Sequence, residues 1–314
     1  MITHAFRRFL SLIVSCFLIS VLVFIVMHVI PGDPAQIMLG TEADPSTLAA
    51  LRDQLQLDLP IYAQYGTWVR GVLSGDLGES LRYHVPISKL IASRLAVTAP
   101  LAIMAILIAI VIGLPAGLYA ATHRGKLGDY GVMTLSQVGL SIPSFWLGIL
   151  LMLAFSLRLH WLPAGGFVPW SKSFIGALQS LLLPAVALGL IRAAVVARLS
   201  RSSLLEVLGR DYIRTARGKG VHEMRVLWKH ALRNSLIPIV TVLGMQFAAL
   251  LAGAIIIENV FYLPGLGRLA FQAIGQRDLP LVQDIVVLIA VLVVGMNLIV
   301  DLAYALLDPR IRLE

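Results

Sequence analysis

Few residues in this chain could do chemistry, and most of them sit inside or beside very apolar runs. Glu258, Asp284 and Asp301 flank such runs. An ionisable group within a bilayer is a functional candidate, as part of a proton or ion relay. All three lie near the ends of their runs, where a carboxylate reaches headgroups or water, and none stands at a centre. Gln246 and Asn297 lie deeper and could line a polar pathway or hydrogen-bond between helices. Ser141, two residues after Gly139, and His28 are the residue types of an intramembrane hydrolase, serine as nucleophile and histidine as base. Nothing in the sequence brings the two together. His28, near the end of its run, equally suits a capping or solvated role.

Gly265-Leu266-Gly267-Arg268-Leu269-Ala270 reads as G-x-G-x-x-A. A dinucleotide site needs that pattern between a strand and a helix of a βαβ unit. Here it follows Pro264 in a polar interval between apolar runs, so a packed turn is the better account. The pattern G-x-x-x-x-G-K-[ST] is absent: Lys126 is followed by Leu127 and Lys219 by Gly220. The chain has no recognisable phosphate loop of its own, and no cofactor is expected on it. No H-E-x-x-H occurs. The single cysteine, Cys16, rules out an intrachain disulfide and a cysteine–histidine metal spacing.

The strongest polar feature is Tyr212 to Asn234, within an interval at 210–234. It carries Arg214, Arg217, Lys219, Arg225, Lys229 and Arg233 against one acid, Glu223. Val221, Met224, Leu227, Trp228 and Leu232 recur at helical spacing, which predicts an amphipathic helix, and Gly218 and Gly220 break it near its start. Two readings stand: a basic cytoplasmic loop that only fixes topology, or a helix that docks into a groove on a cytoplasmic partner.

The elements that must position these residues are membrane spans. Of 314 residues, 58% are apolar and 13% charged, about half the charged share of a soluble domain. The net charge of +8 is accounted for by arginines beside span ends facing an anionic leaflet rather than by nucleic acid. Residues 1–30 are read as a basic tail and a retained first span. Phe9 to Ile30 has no Lys, Arg, Asp or Glu and is too long for a signal peptide core. Residues 31–95 form an extracytoplasmic segment, with a short amphipathic helix through Leu48, Leu51 and Leu55, a second at Pro86 to Leu95, and a loop over Gly71, Gly75 and Gly78. Residues 96–306 hold five further spans: Ala96–Ala121, Tyr130–Leu157, Phe174–Val196, Ser235–Ile257 and Leu281–Leu306. The second carries Gly113 and Gly117 around Pro115, suited to close helix contact or to a kink. The third is interrupted at Ser141-Ile142-Pro143-Ser144. Residues 307–314 are a tail. The fold class is therefore all-α and polytopic, with six transmembrane helices. Sixteen of the 25 basic residues fall on the side of the termini when 192–233 is placed there, so both termini are expected in the cytoplasm.

The basic interval resembles the coupling loop of binding-protein-dependent ABC importer permeases. In that family a helix between two late spans carries E-A-A-x-x-x-G, then about nine residues, then I-x-L-P. Here Arg214-Thr215-Ala216 takes the first three places, Gly220 the glycine and His230-Ala231-Leu232-Arg233 the last four; Ala216, Gly220 and Leu232 match. The T-A-R-x-K-G…H-x-L-R-N form is similar to the dipeptide, oligopeptide and nickel permease subfamily. So are P-G-D-P at 31–34, Y-G-T-W at 65–68, G-D-L-G at 75–78, W-L-P at 161–163, P-G-L-G-R at 264–268 and L-D-P-R-I-R at 307–312. The resemblance spans nearly the whole chain.

It implies a transporter subunit of the bacterial inner membrane, not an enzyme, carrying peptides, glutathione, nickel chelates or related solutes. The implied partners are a second homologous permease subunit, two cytoplasmic ATPase subunits that hold ATP and Mg, an external solute-binding protein and the lipid bilayer. ATPase coupling would fall to Thr215, Ala216, Arg217, Gly218, Lys219, Gly220, Leu227, His230, Leu232 and Arg233, with Ser141, Gln246 and Asn297 as pathway candidates. The segment 31–95 would be a scoop under the binding protein. The rival class, an ion-driven secondary transporter, would need an acid at midplane depth and inverted internal repeats, and the sequence displays neither.

Overall fold

The computed structural model describes residues 2–29, 34–39, 44–54 and 57–307. Pro31-Gly32-Asp33, Leu55 and 308–312, together with the side chains of Leu51 and Asp301, lie outside what is described. Among the described residues every element is helical, apart from one antiparallel bridge between Glu79 and Pro86.

The chain opens with α1 (Ile2–Val29), followed by three shorter helices, α2 (Pro34–Leu39), α3 (Pro45–Gln54) and α4 (Ile61–Ser74). The expected loop at 71–80 is thus half helix. α4 runs through Gly71 and stops at Gly75, whose φ of +81° lets its N–H return to the last turn. The helix expected at Pro86 to Leu95 and the second span are one element, α5 (Ile87–Thr122), unbroken through Pro100 and Pro115. α8 (Phe174–Leu208) likewise continues through Pro184 and twelve residues beyond the expected end at Val196. α11 (Arg233–Val260) and α13 (Leu279–Leu307) are the last two spans.

The third expected span is broken rather than kinked. α6 (Leu127–Ser141) and α7 (Ser144–Leu151), the latter continued by a π-helical stretch Met152–Arg158, meet at 101° around Ile142-Pro143. Proline there removes an N–H and bars the helical conformation from the residue before it. Five helices are long and apolar enough to cross a membrane, and a sixth crossing exists if the bent pair is one span.

Between spans the lipid tails are as apolar as leucine, so helices are held by close approach and polar contacts. α5 and α8 meet through glycines. A Cβ on Gly113 would stand 2.5 Å from the Ala193 carbonyl oxygen, and one on Gly189 2.8 Å from that of Ala105. The close contact open to Gly113 and Gly117 is realised. The central core is completed by Leu101, Leu181, Leu188, Leu250 and Ile257. Outside it, the polar interval 258–280 contains a further helix, α12 (Leu266–Gly275), whose Leu266, Leu269 and Ala273 pack on Ile87, Leu281 and Ile285.

Candidate functional site

The interval 210–234 is built in two pieces. α9 (Asp211–Gly218) is a separate two-turn helix. After a break at Lys219–His222 the chain re-enters a helix at α10 (Glu223–Arg225), passes through π-helical turns at Val226–Leu232 and runs on as α11. Glu223–Val260 is thus one continuous 38-residue helix. The single amphipathic helix expected through Val221 to Leu232 is corrected accordingly. Thr215, Ala216, Arg217 and Gly218 lie on α9, and Lys219 and Gly220 in the break. Leu227, His230, Leu232 and Arg233 lie on the extension of a span.

The break has a local cause. Gly220 adopts φ +76°, a conformation an L side chain rarely enters. Its N–H donates to the Arg217 carbonyl at 2.9 Å and that of Val221 to the Ala216 carbonyl at 3.2 Å. These two bonds form a Schellman stop, accompanied by the apolar pair Ala216 and Val221. The glycine at the seventh place of the signature is required by the helix end. Gly218 has no such geometry, and a Cβ on either glycine would meet nothing within 4 Å in this chain.

α9 is seated on the span ends. Ile213 is fully buried in a cluster with Ala121 of α5, Leu204 of α8, and Val226 and Ala231, flanked by Ala216, Val221 and Leu227. The buried face of the extension is therefore Val226 and Ala231. Met224 and Trp228, expected on the apolar face, are more than half exposed, because the π-helical turns shift the register by one residue from the 3.6 period. Arg217 bridges the break, its Nε donating to Glu223 at 3.0 Å. The carboxylate raises the guanidinium pKa. Both side chains are largely exposed, so the pair contributes about 0.2–1 kcal/mol. The Asn234 amide donates to the Tyr212 hydroxyl at 2.8 Å, tying α9 to the extension a second time.

Two further contacts hold the same end of the bundle. Arg201 grips the buried Asp129 with two hydrogen bonds, 2.5 and 2.7 Å, and the Gly125 N–H donates to the same carboxyl group at 2.9 Å. This ties α8 to the α5–α6 turn. Sequence reading took Arg201 only as a topology signal; its bond to Asp129 spans 72 residues and has no local pattern.

The intramembrane candidates separate clearly. Ser141 is exposed and donates to the Gln137 carbonyl at 3.0 Å, while His28 bonds to Phe24 and Gln64, so no nucleophile–base pair exists. Asn297 is exposed and makes no interhelical bond among the described residues. Gln246 does: its Oε1 accepts from Arg192 at 2.8 Å. Arg192, counted in sequence as part of the cytoplasmic segment, stands mid-way along α8. Glu258 and Asp284 do not reach water. Glu258 is fully buried and accepts from Thr98 Oγ1 at 2.6 Å and the Arg268 N–H at 2.9 Å. The buried Asp284 accepts from Trp68 Nε1 at 2.8 Å, which fastens α4 to α13. Gly265 is the turn expected, and one without room for a side chain, since a Cβ there would overlap the Glu258 carboxyl.

Comparison with known proteins agrees with this architecture. Residues 113–313 match the family model for the binding-protein-dependent transport system inner membrane component, and residues 1–102 match that for the N-terminal part of such membrane components. A putative peptide transport system permease protein of Brucella abortus is 44% identical over 308 residues, covering 98% of each chain. The glutathione transport system permease protein GsiC of Salmonella choleraesuis is 43% identical over 312 residues, covering 99% of each. In structure, the inward-facing MetNI methionine ABC transporter aligns with a TM-score of 0.57 at 21% identity, over 70% of this chain and 96% of that one. Matched along nearly its whole length in sequence and over 70% of it in structure, the chain belongs to the binding-protein-dependent transport system inner membrane components, the multi-pass permease subunits of ABC importers.

Proposed function

We propose that this chain is one of two homologous subunits lining the pathway of an ATP-driven importer for di- or oligopeptides or related small solutes such as glutathione. The permease names of its relatives support that solute class. An external binding protein delivers the solute over the segment 31–95. Six spans, the bent α6–α7 pair counting as one, put both termini in the cytoplasm. ATP and Mg are held by two partner ATPase subunits, and this chain has no ATPase site.

The observation that carries the reading is the mount of α9. Its apolar side chain, Ile213, is sunk among the ends of α5, α8 and α11, while Arg214, Arg217 and Lys219 are exposed. A helix seated on three spans and presenting cations outward suits a handle gripped by a separate subunit, with the arginines giving orientation. Thr215 to Gly220 supply the gripped piece, and Leu227, His230, Leu232 and Arg233 belong to the helix that carries its displacement into the membrane.

The test is a Gly220→Trp complex reconstituted with its partner subunits. Solute-stimulated ATP hydrolysis is expected to persist in part while uptake falls at least tenfold; wild-type uptake with wild-type hydrolysis would refute the handle. On a Cys16→Ser background, a cysteine at Ser46 should react with an impermeant thiol reagent from outside, and one at Glu223 only from inside.

A further inference from the structure

Arg192 is a cation mid-way along the apolar helix α8 that no acid neutralises among the described residues. It stands eighteen residues from the start of α8 and sixteen from its end, about 27 and 24 Å along the axis. Neither end is within reach of the side chain. The described acids on the neighbouring spans and their connections are engaged elsewhere: Asp129 by Arg201, Glu258 by Thr98 and the Arg268 N–H, Asp284 by Trp68, and Asp278 by Ser80. Among the described residues Arg192 forms no ion pair.

What surrounds the guanidinium is one-sided. Nη1 donates to Gln246 Oε1 at 2.8 Å and Nη2 to the Ala249 carbonyl at 2.9 Å, while Nε–H is buried without an acceptor. A guanidinium has five N–H donors, so donors remain. The Gln246 carbonyl is already used, which leaves that side chain with its NH2 group, also a donor. Near Nη2 the wall is Gly253, where even a Cβ would stop 3.9 Å short. The side chain is only half-buried. A guanidinium turned toward hydrocarbon is strongly disfavoured, so its open side faces a polar space. The chemical complement of clustered, unspent donors around one positive charge is an oxyanion, and a planar fork suits a carboxylate.

We propose that Arg192 and Gln246, bridging α8 and α11, form a carboxylate-binding subsite in the transport pathway, which takes the anionic end of the solute as it passes. The inference rests on the importer reading above. Gln246 holds the fork at one prong and leaves the other donors for the ligand. Selection for an anionic terminus would then be exercised within the membrane as well as by the binding protein.

The test uses the complete importer in proteoliposomes, with ATP inside the vesicles' ATPase-facing side, and two probes, trialanine and its C-terminal amide. The quantity read is the ratio of acid to amide uptake, compared between wild type and Arg192→Gln, so that discrimination by the binding protein cancels. We expect that ratio to fall about tenfold or more in Arg192→Gln, the loss of one charge-assisted contact. Arg192→Lys, which keeps the charge without the fork, should retain part of it, and copurification of the partner subunits should stay at wild-type levels. An unchanged ratio in Arg192→Gln would overturn the subsite. So would failure of both variants to assemble, which would assign Arg192 a structural role, including pairing with an acid of the second permease subunit. ATP-dependent uptake of neither probe by wild type would instead refute the peptide-importer reading itself, and the subsite with it.

Discussion

Replacement of Glu258 tests how the end of the bundle opposite α9 is held. Its carboxyl group is fully buried and faces donors only: Thr98 Oγ1 at 2.6 Å and the Arg268 N–H at 2.9 Å. Thr98 in turn accepts the Leu266 N–H at 2.7 Å, so one carboxyl group and one hydroxyl satisfy two N–H groups in the first turn of α12, which have no intrahelical partner. Glu258→Gln keeps the shape but turns an NH2 toward one of these donors. One donor loses its acceptor, at about 1–3 kcal/mol. Glu258→Ala strips both contacts and leaves a void, at about 3–5 kcal/mol. Thr98→Val alone should cost an amount similar to Glu258→Gln. The double variant should cost clearly less than the sum, because the two act through one network. The assay is thermal inactivation of the detergent-purified complex, read with α12 accessibility to a cysteine label at Gln272. Wild-type stability of Glu258→Gln, or strict additivity with Thr98→Val, would refute the shared cap.

Other expectations follow from the same geometry. Gly220→Asn should retain most transport because asparagine tolerates positive φ, whereas Gly220→Val should lose about 1–2 kcal/mol of local stability and most coupling; equal damage from both, measured as uptake per ATP, would shift the requirement from backbone conformation to a partner's close approach. Asp129→Asn should destabilise the complex by about 2–4 kcal/mol, between an exposed and a fully buried pair, with Arg201→Gln no worse and the double variant little worse than either in thermal inactivation.

The spans and the helix break at Gly220 were legible in the sequence, and the polar joinery was not. Apolar run length marks a crossing because hydrocarbon demands it, so α1, α5, α8, α11 and α13 emerge with errors only at their ends. Those errors have one sign. The fourth span is expected to end at Val196, yet α8 runs on through Pro184 to Leu208, and the arginine within it is met by Gln246 and the Ala249 carbonyl of α11. The break at Ile142-Pro143 shows the opposite outcome for a proline, and only packing decides between them. Gly220 was singled out correctly, but its role as a helix stop depends on a dihedral angle that composition does not reveal. Arg201–Asp129, Thr98–Glu258 and Trp68–Asp284 join residues 72, 160 and 216 apart, separations at which no local period survives.

These joints are not scattered. The helix that begins at Glu223 and ends at Val260 carries three of the chain's polar fixings along its length. At one end Arg217 and Tyr212 fasten α9 to it, near its middle Gln246 holds Arg192, and two residues before its far end Glu258 caps α12. At 1.5 Å per residue the helix extends about 57 Å, more than a bilayer's hydrocarbon core. A displacement applied to α9 therefore reaches Gln246 and Glu258 through continuous backbone rather than through a loop. The π-helical turns at Val226–Leu232 are part of the seat of α9, since Val226 and Ala231 pack with Ile213, and they lie between its Arg217–Glu223 and Tyr212–Asn234 fastenings. Inserting one residue into the regular helix just beyond those turns would rotate every contact past it by about 100°, the angle of one helical residue. Arg192–Gln246 and Glu258–Thr98 should then fail together while α9 stays seated through Ile213. An insertion variant that kept the Glu258 cap and the acid preference intact would show that the helix does not act as one lever.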